Sequence, residues 1–473
     1  MTPSASPQTA RLRRRLRRSA AAALALTVAT TAVATAQELR GMQATVGFDT
    51  RLEGGRNFAL ARPSEGSTLR GSSGLSLRFI SETRTEQFLL DTGSRFTLAR
   101  EPGERVSEFS DPRLRLSYRR EGVDSLFSLQ GSARRARVDF LRDLEQFVDE
   151  DGVLVLPEDF GDLTGSGRRL DYSAEMRLEL GREAAPAGLS LAARVSGIDY
   201  TDAAANLFDQ RRLGLTATGR LRLSPVLTAN LVLQHDRLRI DDPARTDRRT
   251  QAVRVGLRYA LDPTTELSAS IGGSRIDTRE FGITSRSEGL VGDVSLARAL
   301  PGGPVSAQFS ASRVEAGQRL SLSVGRQLER PLGGISGRLG VSRGPDGSVN
   351  AIGDLGWSRA LPDGTVSASL ARGVGLTSDD EERITTTLRL NYSHAFSDVS
   401  SVALRLIHAR TESVATAGRV SRTDIGATYR HQITPDWALD AGLNYRLRQE
   451  RGVGSARAPS LFVSLGREVT FGL

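Results

Sequence analysis

The chain contains no cysteine and no lysine, few aromatic residues, and no long hydrophobic run after its first 36 residues. Without cysteine, there is no disulfide framework and no thiolate metal site. Without a stretch of about 20 apolar residues, there is no helical membrane span. The missing runs do not exclude strands that cross a membrane, because each such strand is a weak hydropathy signal.

Every basic residue is an arginine, and the formal net charge of +9 overstates the basic character of most of the chain. Six of the arginines lie in the N-terminal leader, which leaves 58 arginines against 55 acidic residues. A nucleic-acid-binding protein would cluster its basic residues on one face. Here the arginines and acids are interleaved, so we expect no nucleic-acid partner.

The first 36 residues are predicted to be a signal peptide. Their positive segment carries Arg11, Arg13, Arg14, Arg15, Arg17 and Arg18. The run from Ser19 to Ala36 is small and apolar and ends in Ala34-Thr35-Ala36, the small-x-small pattern of a signal peptidase site. An uncleaved anchor is the alternative, which the short, Ala/Thr-rich run disfavours. We therefore assign 1–36 to a signal peptide and 37–473 to one exported domain.

Period-two alternation runs through almost the whole remaining chain. One example alternates Leu213, Leu215, Ala217, Gly219, Leu221 and Leu223 with Gly214, Thr216, Thr218, Arg220 and Arg222. One face is apolar and the other is polar, small or charged. Segments of about ten residues suit tilted strands that cross a bilayer. The pattern predicts an all-β, antiparallel, up-and-down transmembrane barrel.

The connections alternate between short and longer ones. Short connections rich in turn residues lie at 260–265, 299–303, 360–364, 395–399 and 432–436, and longer ones at 201–210, 241–249, 278–286, 377–382 and 448–458. Short turns at one end and longer loops at the other are typical of outer-membrane barrels. The count is about 22 strands, within a range of 18 to 22. The first strand begins near Met42, so we expect no N-terminal plug domain.

Six aromatic residues fall at strand ends beside the short turns, on the parity of the apolar face. They are Tyr118, Tyr259, Trp357, Tyr392, Tyr429 and Trp437. Aromatic rings collect at the two membrane interfaces of a barrel. We therefore predict that these residues form an aromatic girdle.

Residues 42–473 resemble bacterial outer-membrane β-barrel proteins of the porin-like group of large single-chain barrels. The resemblance lies in the alternation, the hairpin spacing, and a last strand that keeps period two from Leu461 to Leu473. It implies a Gram-negative outer membrane, contact with outer-membrane lipids and lipopolysaccharide, and recognition of the C-terminal strand by the barrel-assembly machinery. Phe471 rather than the last residue is the terminal aromatic. Arg467 falls on the lipid face, so either a bulge re-phases the strand or its side chain snorkels.

The polar parity faces the lumen if the apolar parity faces lipid. The predicted pore-lining arginines are Arg115, Arg177, Arg220, Arg254, Arg338, Arg389, Arg405 and Arg446. An arginine-rich lining favours anions. The alternative is that these arginines pair with acids across strands and hold the wall together, and both roles can coexist.

The connection between the fifth and sixth strands, 143–163, is acidic and also apolar. Its candidate constriction residues are Asp143, Glu145, Asp149, Glu150, Asp151, Glu158 and Asp159. The third external loop of porins folds inward, and the apolar residues would let this loop pack against the wall. A solvated external loop, or a contact of Asp149, Glu150 and Asp151 with divalent cations or lipopolysaccharide, are the alternatives. If the loop narrows the pore, neutralising these three residues should change ion selectivity.

No enzymatic activity, cofactor or metal is expected from the sequence. His235 and Asp236 lie at a strand end, but adjacent strand residues point to opposite faces and do not pair simply. No nucleophile, phosphate-binding or metal-ligand motif is convincing.

Three functions fit these observations. The first is a porin-like channel for small hydrophilic solutes, with a preference for anions. The second is an export barrel for a surface polysaccharide, and the third is a non-transporting structural or adhesive barrel.

Overall fold

The computed structural model describes residues 41–137, 144–148, 154, 156, 167–181, 185–202, 207–376, 382–413 and 418–472. The predicted signal peptide therefore lies outside the described residues. In the described part, the chain forms 22 strands of one antiparallel sheet. This agrees with the all-β class and the strand count predicted from the alternation.

The first eleven strands are β1 (Met42–Arg56), β2 (Ser67–Glu82), β3 (Glu86–Glu101), β4 (Glu104–Glu121), β5 (Ser125–Arg137), β6 (Arg168–Leu180), β7 (Ala187–Thr201), β8 (Gln210–Ser224), β9 (Leu227–Ile240), β10 (Asp247–Asp262) and β11 (Thr265–Glu280). The others are β12 (Ile283–Leu300), β13 (Gly303–Val314), β14 (Gly317–Arg330), β15 (Gly333–Arg343), β16 (Val349–Leu361), β17 (Gly364–Leu376), β18 (Glu382–Ser397), β19 (Ser400–Ser413), β20 (Arg419–Gln432), β21 (Trp437–Glu450) and β22 (Gly454–Gly472). A short 3₁₀ turn, Leu144–Phe147, lies between β5 and β6.

Each strand pairs with its neighbours in the chain, and β22 pairs with β1, which closes the barrel. We call the end where β1 starts and β22 finishes the termini end, and the opposite end the loop end. Closure satisfies the backbone hydrogen-bonding groups that an open sheet edge would leave unpaired. Among the described residues, no helix is long and apolar enough to cross a membrane.

The strands are longer than the alternation predicted, ranging from 11 to 19 residues. The connections predicted at 278–286 and 448–458 are wrong, because β11 and β12 are joined only by 281–282, and β21 and β22 by 451–453. Arg286 Nε donates to Asp277 Oδ1 at 2.8 Å across the first of these hairpins. Charged side chains that suggest a loop therefore pair across strands and continue the ladder.

The two faces of the sheet differ as the alternation predicts. Large apolar side chains project outward, and Leu339 is 77% exposed. Its neighbour Arg338 lies on the inner face, where its Nε is 3.6 Å from Asp354 Oδ1. An exposed apolar belt around a polar interior is the arrangement expected of a barrel whose solvent is lipid.

The six predicted girdle residues all lie on the outer face toward the termini end. Tyr118 packs against Phe127, with ring centroids 6.1 Å apart. Tyr392 stacks on His394 and Tyr429 on His431, at 6.3 and 6.5 Å. These rings have the placement that amphipathic side chains adopt at a membrane interface.

Arg467 lies at this same level of the barrel. β22 pairs with β1 and β21 without a register shift, so the bulge considered from the sequence is wrong. The guanidinium carbon of Arg467 lies 5.6 Å from the Trp437 ring centroid, and its Nη2 lies 3.8 Å from Asp436 Oδ2. The arginine thus reaches a turn carboxylate and an interfacial ring instead of the apolar belt.

The last residue of β10, Asp262, carries a perturbed carboxyl group and lies just beyond the girdle residue Tyr259. The hydroxyl and backbone N–H of Thr264 donate to Asp262 Oδ1 at 2.6 and 2.7 Å. These bonds favour the carboxylate and lower the pKa of Asp262 from 3.8 to about 2.

We expect a carboxyl ¹³C titration of the folded barrel to show a midpoint near 2 for Asp262. Because the folded-state pKa is depressed, the contribution of this carboxylate to hairpin stability is complete above its ordinary pKa. It is lost as the pH falls through the folded-state value. Asp262→Asn assigns the resonance, and Thr264→Val, which removes the hydroxyl, should raise the midpoint. An ordinary midpoint in the unmodified protein would contradict the expectation.

Candidate functional site in the barrel lumen

The eight predicted pore-lining arginines all lie on strands and on the parity opposite to the exposed apolar belt. Two of them also pair with acids: Arg254 Nη1 lies 3.9 Å from Asp293 Oδ1 of β12, and Arg177 contacts Glu175 of its own strand at 3.6 Å. Arginines that face the lumen can therefore also pair with acids on another strand, as Arg254 does. Arg338, Arg389 and Arg405 lie on the inner face of β15, β18 and β19.

A polar cavity of about 240 Å³ lies on the inner face of β1 to β4. Its charged lining residues are Asp49, Arg51, Glu53, Arg70, Arg95, Asp111, Arg113 and Arg446. We call this group the arginine cavity. Of its five arginines, only Arg446 was among the residues predicted from the sequence. The others obey the same parity rule, so the alternation could have identified them.

The carboxylates of the arginine cavity are shared among several donors. Arg95 contacts Asp49 Oδ2 at 2.8 Å and donates to Ser72 Oγ at 3.1 Å. Glu53 lies 3.4 Å from Arg51 and 4.0 Å from Arg446, and it accepts a hydrogen bond from Ser460 Oγ at 3.0 Å. Shared carboxylates hold the guanidinium groups together while leaving an excess of positive charge.

A bulge supplies the third carboxylate. The pairing of β3 with β4 shifts register between Gly93 and Arg95, and Asp111 adopts a φ of 53° beside Pro112. Proline cannot donate to the ladder, which makes a bulge the natural position for it. The bulge directs Asp111 toward Arg134, which donates to both of its oxygens at 2.6 and 2.8 Å.

The connection between β1 and β2, 57–66, folds into the lumen. Phe58 and Leu60 are buried, and Leu60 packs on Ala456 and Ala458 of β22. Asn57 fixes the fold of this connection. Its Nδ2 donates to Arg457 O at 3.2 Å, and its Oδ1 accepts the N–H of Ala61 at 3.1 Å. We call residues 57–66 the first inward segment.

Part of the connection between β5 and β6 also lies against the lumenal wall. Leu144 and Leu154 are buried with Ile407 and Ala409 of β19, and Phe147, Val148 and Leu156 pack against them. Leu144 N donates to Asp424 Oδ2 of β20 at 2.9 Å. We call residues 144–156, in their described part, the second inward segment.

The second inward segment follows β5 but contacts β19 and β20, which lie on a distant part of the wall. On the shorter path around the barrel, seven strands separate β5 from β19. Ile407 and Asp424 face inward and pair with each other across β19 and β20. The second inward segment therefore reaches its partners through the interior. Full burial of a leucine such as Leu144 stabilises the contact by about 1.5–3 kcal/mol.

Both inward segments rest on one row of the wall. Cross-strand pairing places Ile407, Asp424, Arg446 and Ala458 side by side on β19 to β22. We call these four residues the contact row. Arg446 belongs both to this row and to the arginine cavity, and its guanidinium carbon lies 5.7 Å from the Phe58 ring centroid. The part of the wall that the two inward segments contact is thus continuous with the arginine cavity.

Asp424 is the polar anchor of the contact row. Arg422 donates to both of its oxygens, at 2.9 and 3.1 Å, and the side chain of Asp424 is only 7% exposed. A buried carboxylate requires such donors. The hydrogen bond from Leu144 completes this set of donors and couples the second inward segment to the wall.

The predicted acidic constriction residues lie mostly outside the described residues, namely Asp143, Asp149, Glu150, Asp151, Glu158 and Asp159. Glu145 belongs to the 3₁₀ turn, but its side chain lies outside the described part of the structure. Among the described residues of this connection, apolar side chains such as Leu144 and Leu154 contact the wall. The acidic role stays a prediction.

His235 and Asp236 point to opposite faces. His235 Nδ1 lies 3.4 Å from Gln251 Nε2, whereas Asp236 Oδ2 accepts a bond from Gln234 at 2.6 Å. In the described ranges, no group of three or more His, Cys, Asp or Glu residues could hold a metal ion.

Comparisons with known proteins show the fold. No family model matches the sequence, and no curated protein matches it. The structure is similar to the FrpB iron transporter from Neisseria meningitidis, at 10% identity and a TM-score of 0.56, over 90% of this chain and 82% of that one. It is similar to the ferric-catecholate import receptor Fiu from E. coli K12, at 10% identity and a TM-score of 0.53, over 89% and 81%.

A third similar structure is the copper transporter OprC, at 11% identity and a TM-score of 0.50, over 90% of this chain and 80% of that one. Identities this low establish the architecture alone. Together with the closed sheet and the outward apolar belt, they lead to one assignment. The chain has the fold of a bacterial outer-membrane β-barrel, a closed sheet of 22 antiparallel strands.

Proposed function

We propose that the barrel is a porin-like pore for small hydrophilic solutes in the outer membrane of a Gram-negative cell, with a preference for anions. The observation that carries the proposal is the arginine cavity beside the contact row. A solute that passes the inward segments would meet this cavity. Five arginines against three carboxylates favour negative charge there.

The width of the barrel supports a role for the inward segments. Barrels of 22 strands are wider than porins, and their lumen is usually plugged. We propose that the two inward segments narrow this pore without a separate plug domain. Their burial against the contact row gives them a fixed position there.

The remaining sequence predictions complete the proposal. We propose that residues 1–36 are removed as a signal peptide and that 37–473 form the barrel. The termini end would then face the periplasm and the loop end the exterior, as in other outer-membrane barrels. The C-terminal strand β22 would be the segment recognised by the assembly machinery.

A second candidate is uptake of a larger metal complex. The similarity to an iron transporter, a ferric-catecholate import receptor and a copper transporter favours it. Polysaccharide export and a purely structural role gain no support from these similarities. A barrel of this width could pass a chelate only if the inward segments moved away from the contact row.

Planar-bilayer recordings test the proposal. We expect the purified protein to give a steady open conductance in potassium chloride and a reversal potential of anion-selective sign in a salt gradient. A ferric catecholate complex, added to the same bilayers, should not block the current at low concentration. A folded barrel without conductance would contradict the pore, and tight block by the complex would favour the second candidate.

A further inference from the structure

The outer face of β6 to β12 contains a depression of about 820 Å³ within the apolar belt. Its walls include Leu191, Leu215, Leu233 and Val253, which are all exposed, and its floor includes Ala217 and Gly273. Small side chains between large ones leave a groove in the surface. We call this feature the outer groove. It lies on the opposite side of the wall from the lumen.

The outer groove has an apolar end and a polar end. Cross-strand pairing continues its lining from Leu215 through His235, Gln251 and Arg275 to Glu288. Glu288 lies near the loop end of β12, whereas the apolar lining residue Met176 lies near the termini end of β6. The polar end therefore points toward the loop end.

Arginines crowd the outer face at this polar end and beyond it. On the outward parity of β8 to β12 lie Arg211, Arg237, Arg239, Arg249, Arg275, Arg279 and Arg286, with the acids Asp247, Asp277 and Glu288. We call these ten residues the arginine collar. Seven guanidinium groups against three carboxylates leave a strong excess of positive charge.

The contacts within the arginine collar do not neutralise all of its arginines, because several arginines share each of two carboxylates. Asp247 is shared by three arginines, because Arg239 Nε and Arg249 Nε lie 3.4 and 3.6 Å from it while Arg237 binds both of its oxygens. Asp277 is shared by Arg275 and Arg286, each at 2.8 Å. The side chains of Arg239, Arg249 and Arg286 remain more than half exposed.

We propose that the outer groove and the arginine collar bind a phosphorylated, multiply acylated glycolipid of the outer leaflet, the lipid A part of lipopolysaccharide. An acyl chain would lie in the groove, and phosphates would lie against the collar. Guanidinium groups bind phosphate oxygens in pairs. Several excess arginines directly above an apolar belt match more than one phosphate on one lipid. This site is independent of the pore.

Two variants separate the two halves of the site. Arg237→Gln, Arg239→Gln and Arg249→Gln together remove the charge excess around Asp247. Gly273→Phe fills the groove, and a Cβ at Gly273 would meet no atom within 4 Å, so the barrel should tolerate it. Gly219→Phe is the matched control, because Gly219 is equally open on the same outer face but does not line the groove.

The test is native mass spectrometry of the purified full-length protein in a nonionic detergent. The probes are bisphosphorylated lipid A, its dephosphorylated form and phosphatidylglycerol. We expect lipid A to bind best and the triple arginine variant to lose on the order of 100-fold in affinity. Gly273→Phe should lose affinity for lipid A, Gly219→Phe should not, and heat-modified mobility in gels should show that all variants fold.

Three results would overturn the proposal. One is equal binding of bisphosphorylated and dephosphorylated lipid. Another is binding of phosphatidylglycerol as tight as that of lipid A, which would assign the groove to ordinary phospholipid. The third is unchanged lipid A affinity in the folded triple variant. Conductance is expected to be the same in all these variants, so failure here leaves the proposed pore untouched.

Discussion

Ile407→Asp should raise the single-channel conductance of the barrel severalfold. Ile407 is fully buried against the second inward segment and lies beside Asp424 in the contact row. A second carboxylate there would be buried without a partner while the segment is docked, at a cost of about 3 kcal/mol or more. That cost shifts the docking equilibrium by roughly 100-fold. When the second inward segment is undocked, the new carboxylate faces water, so the substitution does not strain the barrel wall.

Ala403→Asp is the control for this variant. Ala403 lies on the same strand and the same inner face as Ile407, but it is exposed and outside the contact row. It adds the same charge to the lumen without disturbing the second inward segment. An equal increase in both variants would show that the added charge alone changes the conductance. Unchanged conductance in Ile407→Asp would contradict the proposal that the second inward segment narrows the pore.

Replacing Arg51, Arg70 and Arg95 together by glutamine should turn the proposed anion-selective pore into a cation-selective one. The arginine cavity would then keep two arginines against Asp49, Glu53 and Asp111. Glu53 would still accept from Ser460 and lie near Arg446, so the wall should remain folded. The measurement is the reversal potential across a bilayer in a potassium chloride gradient, whose sign should change.

The matched control is the triple glutamine variant of Arg237, Arg239 and Arg249. It removes the same charge from the protein, but from the outer face of the barrel. Its reversal potential should equal that of the unmodified protein. A change of the same size in both triple variants would mean that selectivity follows net charge and that the arginine cavity has no special part in it. High salt should reduce the effect of the lumenal variant, because screening shortens the reach of the arginines.

Alternation was enough to predict most of the barrel. Leu213 to Leu223 lie in β8 with the predicted parity, because one face must meet lipid and the other water. Strand ends were harder to predict. Arg286 and Arg448 suggested loops, yet they continue their strands, since pairing such as Arg286 with Asp277 occurs only once the neighbouring strand is in place.

The lumenal site was only partly predictable for a similar reason. Parity places Arg446 and Arg405 inside, but nothing local indicates that Arg51 and Arg95 share a cavity with Arg446. That neighbourhood arises because β22 closes on β1. The apolar residues between β5 and β6 predicted a segment that packs on the wall. Their partners Ile407 and Ala409 lie more than 250 positions away in the chain, and no spacing rule reaches them.

The closing pair of strands also sets the order in which the barrel can form. Twenty-one pairings join strands that follow one another in the chain. The pairing of β1 with β22, which we call the seam, joins Gln43 to Gly472. Hairpins of low contact order can form early and locally, but the seam must wait until the last strand is made. Until then, β1 and β22 are open edges that can pair with foreign strands. A folding catalyst would therefore have to protect the edges of β1 and β22 until they pair. The same pairing is the one at which the barrel can open while every hairpin stays intact.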